Sequence, residues 1–352
     1  MAINLATKYS TKLDERFKLA SITDAHAGKK YEFSGVNTIK IWSVDQVQPT
    51  NYNRNATSFR FGTVNELGDT VQTMVLTQDR GLTFAIDHGN AQEQFNVKHC
   101  NSILKSNWDE VVTPEIDTYR LGKWINGAGL GAVNSTALTN QTVLRAILTG
   151  GAALSNHKVP RANRTLFVSE TLYIECKLAD QLIGIDKLGE KAIANGVVGM
   201  LDGMKVVTVP DSYLPSGVNF LIKYKDSTVD PQTLKTLRVQ KNPIGFDADV
   251  GECRYIYDSF VLDQKINGLY VHAQSGVVAA PTITKGSSTT SMASTTASAV
   301  IKYTTDGSNP KTSATASTYS AAITNPAAGT VIKAYASLSG SVDSAVTTYV
   351  AT

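Results

Sequence analysis

The chain has 352 residues and 42% hydrophobic content, enough for two or three ordinary globular domains. Its net charge is only +3, with acids and bases interspersed, so it carries no basic footprint of a direct nucleic-acid reader. No segment approaches the ~20 continuous apolar residues of a membrane span, and the first residues lack the apolar run of an export leader. The expectation is a soluble chain made in the cytoplasm, with no membrane contact.

The three cysteines, Cys100, Cys176 and Cys253, are far apart and odd in number, which fits free thiols in a reducing compartment. At the N-terminus Leu5, Tyr9, Leu13 and Phe17 recur every four residues. They predict a short amphipathic helix in an arm over residues 1–30, too short to be stable unless it packs on the body or on a neighbouring subunit.

From Tyr31 to Asp87 the pattern turns to strands. Ile39 and Ile41 alternate before Trp42, Phe59 and Phe61 flank Arg60, and Val71, Thr73 and Val75 alternate, as do Leu82, Phe84 and Ile86. Between them Gln46–Ala56 is polar and rich in asparagine. Such a ribbon has little core of its own and needs a partner surface.

The stretch Gln92–Ala128 carries helical spacing, with Val97, Cys100, Leu104, Trp108 and Val111 in one stripe and Leu104, Trp108, Val112, Ile116 and Tyr119 in a second. Thr113-Pro114-Glu115 is an N-terminal capping signal. The run is either two helices end to end or one helix kinked at Pro114, roughly 50 Å long in all. It looks like a spine on which extended β elements hang.

Gly127, Gly129 and Gly131 resemble a phosphate loop only superficially, since the Walker spacing and its Lys-Ser/Thr are missing; a flexible turn is the reading. Thr142–Pro210 reads as α/β: a helix from Val143, a buried strand Thr165–Val168, a helix Glu170–Leu182 capped by Ser169, a tight turn at Asp202-Gly203, and a strand Lys205–Val209. Asn219–Tyr224, Arg254–Tyr257, Phe260–Leu262 and Leu269–His272 follow as strands.

Composition changes near Val278–Pro281. Residues 281–352 hold 29 Ser or Thr and only six charged residues, yet their apolar residues still alternate, so they predict a small all-β sandwich instead of disorder. Tyr303, Tyr319 and Tyr335 are sixteen residues apart and, with Tyr349, are read as core residues.

No catalytic constellation emerges. His26, His88, His99, His157 and His272 form no metal-ligand spacing, and adjacent His99 and Cys100 would diverge by about 100° on a helix. No GxSxG occurs, and the acids Asp109, Glu110, Glu115 and Asp117 sit around a helix start. The expectation is a structural protein that is not an enzyme, with no catalytic, cofactor-binding or metal-binding residues and no cofactor.

The order of arm, ribbon, long helix, α/β domain and closing strands carries the resemblance. With that order the segments Val111–Ile125 (VVTPEIDTYRLGKWI), Val159–Tyr173 (VPRANRTLFVSETLY), Gly199–Pro215 (GMLDGMKVVTVPDSYLP) and Tyr255–His272 (YIYDSFVLDQKINGLYVH) resemble the major capsid proteins of tailed bacteriophages, the HK97-type fold. In the tail, Tyr303–Pro310 (YTTDGSNP), Ser317–Ile323 (STYSAAI) and Gly329–Ser337 (GTVIKAYAS) resemble the Ig-like β-sandwich at the C-terminus of chitobiase-type hexosaminidases.

The resemblance implies an α+β chain with an N-arm over 1–30 and an HK97-type body over 31–279. Within the body it implies an extended loop over 31–87, a spine helix and peripheral domain over 88–141, an axial α/β domain over 142–244 and return strands over 245–279. An Ig-like sandwich follows over 280–352. It implies self-assembly through pentamers and hexamers into an icosahedral virion shell in a host bacterial cytoplasm, with portal and scaffold proteins, diffuse contact with packaged double-stranded DNA and a surface-exposed Ig-like domain open to weak glycan contact. Some members of that family are crosslinked through Lys–Asn bonds; Lys40 is a nominee, but no motif selects a pair. The alternatives are an encapsulin-type compartment shell and a carbohydrate-binding accessory protein.

Overall fold

The computed structural model describes residues 20–31, 38–44, 66–93, 99–179, 197–245, 247–339 and 341–351, with further positions between 47 and 64. The expected arm helix at Leu5–Phe17 lies outside the described residues. So do Val97 and the C-terminal part of the expected helix Glu170–Leu182.

In chain order the strands and helices begin with β1 (Thr38–Val44), β2 (Asp69–Val75), β3 (Gln78–Asp87), α1 (His88–Glu93), α2 (Cys100–Asn107) and α3 (Thr113–Asn126). Then come β4 (Leu130–Val133), α4 (Val143–Asn156), β5 (Arg164–Ser169), α5 (Glu170–Leu178), β6 (Val197–Leu201) and β7 (Met204–Val209). The body closes with β8 (Val218–Tyr224), β9 (Thr228–Val229), β10 (Gln232–Lys241), β11 (Ala248–Tyr257), β12 (Phe260–Val261) and β13 (Leu269–Ala273). The tail holds β14 (Thr282–Lys285), β15 (Thr289–Ala293), β16 (Val300–Thr304), β17 (Ser317–Thr318), β18 (Ile323–Thr324), β19 (Val331–Ser337) and β20 (Thr347–Val350).

From Cys100 to Asn126 the backbone is helical throughout, about 40 Å at 1.5 Å per residue. Thr113 caps nothing at an N-terminus. A π-helical turn, Trp108–Val112, joins α2 to α3, and the Thr113 N–H reaches back to the Trp108 carbonyl. The wider turn absorbs Pro114, whose missing N–H would break an α-helical ladder. The extra residue also advances the buried stripe: Val112 is 1% exposed and Val111 is 49% exposed. The second sequence stripe, Leu104–Trp108–Val112–Ile116, is therefore the one that packs.

The six-stranded mixed sheet has the order β4-β13-β8-β5-β7-β6. Its residues alternate strictly between two cores. Phe167, Val207, Val209, Leu221, Leu269 and Val271 face α3, meeting Leu121, Trp124 and Ile125. Leu166, Val168, Val206, Phe220, Ile222 and Tyr270 face α4 and α5, meeting Leu144, Ile147, Leu154 and Cys176. Helices thus cover both faces, which explains why β5 and β8 read as continuous apolar runs. The Asp202-Gly203 turn closes the β6–β7 hairpin with φ of 48° and 75°. Ser169 accepts from the Leu172 N–H and starts α5 as the sequence predicts.

Sheets cross the expected limits at 141/142 and 244/245. β4 and β13 lie in the same sheet as β5–β8, and β10 pairs with β11, which pairs with β3. Strand pairing follows which faces need burial, and sequence blocks do not constrain it. The β10-β11-β3 sheet packs on the long helix through Leu104, Val112, Ile116, Cys253, Tyr255 and Tyr257.

The Gly127–Gly131 segment is no flexible turn. Leu130–Val133 is a strand parallel to β13, and a Cβ at Gly129 would sit 2.8 Å from the Ile266 carbonyl oxygen. Close backbone approach requires glycine there. In the tail, sheets β14-β15-β18 and β17-β16-β19-β20 enclose Met292, Ile301, Ile332, Ala334 and Ala336, with Tyr303, Tyr319 and Tyr349 packed on them. Tyr335 departs from the expectation. It points away from the sandwich core, yet is only 6% exposed.

Candidate assembly and anchoring surfaces

The ribbon presents two unlike faces. β1 and β2 pair with Ile39 opposite Met74, Ile41 opposite Gln72 and Trp42 opposite Val71. Ile41 and Met74 are buried against Val229 and Leu262. The opposite face carries Trp42, Val71 and Val75, with Trp42 67% exposed. The alternation at Val71, Thr73 and Val75 therefore marks the solvent side, and Met74 is the core residue. Phe59 and Phe61 lie in a turn instead of the expected strand; Phe59 has φ of 51°, and Phe61 is 85% exposed and touches the Tyr52 ring.

The root of the ribbon is held by polar contacts. Gln72 Nε2 donates to the Val261 carbonyl at 2.8 Å. Asp258 accepts from the Thr77 N–H, the Thr77 hydroxyl and the Tyr119 hydroxyl at 2.8–2.9 Å. The base is fixed while the apolar outer face lies bare.

A second surface is internal. Residues 21–28 thread between α3 and the six-stranded sheet. The buried Asp117 carboxylate accepts from the Ile22 N–H and from the hydroxyls of Ser21 and Thr23 at 2.5–2.8 Å. Asp230 accepts from the Gly28 N–H, Thr228, Ser259 and the Trp124 indole. Lys223, fully buried in β8, donates to the His26 carbonyl at 2.7 Å and sits 4.4 Å from the Trp124 ring centroid. Burial pushes its pKa down to about 8. Burial and the nearby Lys223 push His26 down to about 4. Every one of these groups joins the N-terminal segment to the body.

Sequence reasoning missed Lys223 and Asp230, and it read Asp117 only as an acid at a helix start when it holds residues 21–23. The available signal was a lone lysine inside the apolar strand VNFLIKY.

The histidines do not converge. His88 bridges Asp247 and Asp249 at 2.8 and 3.3 Å, which raises its pKa. His272 stacks on Phe220 at 5.0 Å. Glu115 is engaged by Arg80, Tyr255 and Tyr257. Among the described residues, no group of three or more His, Cys, Asp or Glu side chains could hold a metal ion. The cysteines are free and buried, and burial raises their pKa values. Among the described residues, no helix is long and apolar enough to cross a membrane.

Solved structures share this arrangement over most of the chain. A chain from Mycobacterium phage Che8 matches with a TM-score of 0.63 at 15% identity, over 77% of this chain and 97% of that one. The capsid structure of cyanophage P-SCSP1u matches at 0.58 and 12% identity, over 76% and 92%. The mature capsid of bacteriophage PhiM1 matches at 0.59 and 11%, over 77% and 92%. The body has a phage capsid fold. It is the HK97-type fold that the sequence resemblance implies. Residues 278–348 match the chitobiase/β-hexosaminidase C-terminal domain, so an Ig-like domain follows the capsid-fold body. No curated protein is significantly similar in sequence.

The Ig-like domain meets the capsid-fold body along a polar seam. Lys311 Nζ donates to the carbonyls of Asn126 and Ala128 at the end of α3. Asp263 accepts from Asn309 and Thr312 at 2.9 and 2.7 Å. Val342 lies in the same core cluster as Trp124 and Leu269.

Proposed function

We propose that the chain is a major capsid protein that self-assembles, through pentamers and hexamers, into a closed icosahedral shell around phage double-stranded DNA. The observation that carries the reading is the fold match over three quarters of the chain and nearly the full length of the capsid chains. The ribbon supports it independently: its outer face, with Trp42 67% exposed, calls for a cover that the described residues do not supply. A neighbouring copy lying under the ribbon is that cover, and a repeated heterologous contact of this kind closes into a shell.

On this reading residues 21–28 anchor the N-terminal segment inside the body and not on a neighbour, β1–β2 is the extended loop, the long helix is the spine, and the six-stranded sheet with α4 and α5 is the axial domain around the symmetry axes. The protein acts as a structural subunit, not an enzyme. It would assemble in a bacterial cytoplasm with portal and scaffold partners and contact DNA diffusely, in keeping with its net charge of +3. The compartment-shell alternative shares the fold, but an Ig-like tail is not expected there. Against a sugar-binding role, Tyr303, Tyr319 and Tyr349 are half-buried and pack against the sandwich core.

Negative-stain electron microscopy and light scattering of the purified chain test the proposal. Closed shells, tubes, hexagonal sheets or rings of five or six are expected. A monodisperse monomer or dimer that never assembles at high concentration or under crowding refutes it.

A further inference from the structure

A displayed domain on a tether would show a polar linker and a solvated surface. The C-terminal domain has the solvated surface but not the polar linker. Its linker is apolar and paired: Val342 N–H donates to the Gly276 carbonyl at 2.8 Å, and Val278 N–H donates to the Val342 carbonyl at 3.0 Å. The Val346 N–H reaches the Gly129 carbonyl at 3.3 Å, and the Asp343 N–H reaches the Asn126 side chain at 3.4 Å. The face of the four-stranded sheet that points away from the sandwich core is covered in part, while Val300 and Val350 at its edges stay exposed. It buries Tyr335 beneath Lys311, whose ammonium lies 5.7 Å from the ring centroid.

The point of contact matters. A helix ends with carbonyls that have no partner inside the helix, and cations there are favoured by the dipole. At the end of α3 the Gly127 N–H bonds the Lys123 carbonyl and the Ala128 N–H bonds the Ile125 carbonyl, and neither turn bond reaches the last helical carbonyl, that of Asn126. Lys311, brought in from a domain some 180 residues further along the chain, bonds that Asn126 carbonyl and the Ala128 carbonyl just beyond it. Asn309 and Thr312, from the same loop, bind Asp263 at the start of the 3-10 turn Asp263–Gly268. One loop therefore ties two body segments together.

We propose that the C-terminal domain is a brace acting in cis: its Asn309–Thr312 loop caps the long helix and locks it to the Asp263–Gly268 turn. The order of that end of the body depends on the domain, and the covered part of the sheet face is not available to an outside ligand. The proposal stands apart from assembly, because every contact lies within one protomer.

Hydrogen–deuterium exchange on the purified full chain before assembly tests it. Lys311→Met keeps the stem and removes the donor. It should speed exchange at least tenfold for amides in residues 124–133, while Ser291→Ala, on the exposed face of β15, changes nothing there. The double variant Asn309→Ala/Thr312→Val should speed exchange across residues 262–269, and it carries the test alone if Lys311→Met does not fold. Unchanged exchange in 124–133 for a folded Lys311→Met, or in 262–269 for the double variant, overturns the brace.

Discussion

Between pH 8 and pH 10 Lys223 and Lys311 should add stability to the protomer, while the three buried thiols, whose pKa values are raised, pull the other way. Lys223 is fully buried and Lys311 half-buried, and desolvation lowers each pKa from 10.5 to about 8. Between those values the unfolded chain binds more protons than the folded one, so raising the pH removes a cost that only the folded state bears. At 1.36 kcal/mol per pKa unit, each lysine contributes about 2 kcal/mol over this window, about 4 for the pair. Above pH 10 the trend reverses. Tyr257, Tyr255, Tyr270 and Tyr335 all have raised pKa values from burial, so the unfolded chain loses its phenol protons first. Urea unfolding, followed by the fluorescence of buried Trp124 beside Lys223, reads the effect. Relative to the parent chain, Lys223→Met and Lys311→Met should each make the change in midpoint from pH 8 to pH 10 less favourable by about 0.5 M. A pH dependence unchanged from the parent in both variants would refute the assignment of these lysines as desolvated cations.

Other outcomes follow from the same contacts. On the acid side, burial holds His26 down to about 4, so stability should fall as the pH drops from 6.5 toward 4, and His26→Asn should flatten that limb in acid unfolding curves. Trp42→Asp, on the exposed ribbon face, should change protomer stability by less than about 1 kcal/mol while abolishing shells in electron micrographs. Intact shells with Trp42→Asp would sink the proposed inter-subunit contact. Met74→Ala, on the buried face against Ile41, Val229 and Leu262, should instead cost about 2–5 kcal/mol and free the ribbon root to proteolysis. Gly150→Val should cost at least about 1–3 kcal/mol in chemical denaturation, because even its Cβ would lie 2.7 Å from the Tyr270 ring.

The sequence by itself determined those features whose cause is local. Ser169 announced a helix start because a side-chain cap acts within three residues, and Asp202-Gly203 announced a hairpin because its left-handed angles are a property of those residue types. The order of elements and the change of composition near Val278 were legible for the same reason, and they carried the capsid-fold and Ig-like resemblances that the solved structures bear out. The tertiary structure decided what depends on partners distant in the chain. Alternation could place Val71 and Met74 on opposite faces of β2, but only packing on Val229 and Leu262 chose Met74 as the inner one. Helical spacing offered two stripes through Val111 and Val112, and the π-helical turn before Pro114 selected the second. Tyr335 has the spacing of a core tyrosine, yet it faces away from the sandwich core and is buried beneath Lys311. Lys311, Asp230 and Asp117 look like ordinary surface charges in the sequence, because burial and its compensation depend on chain segments some 95 to 200 residues away.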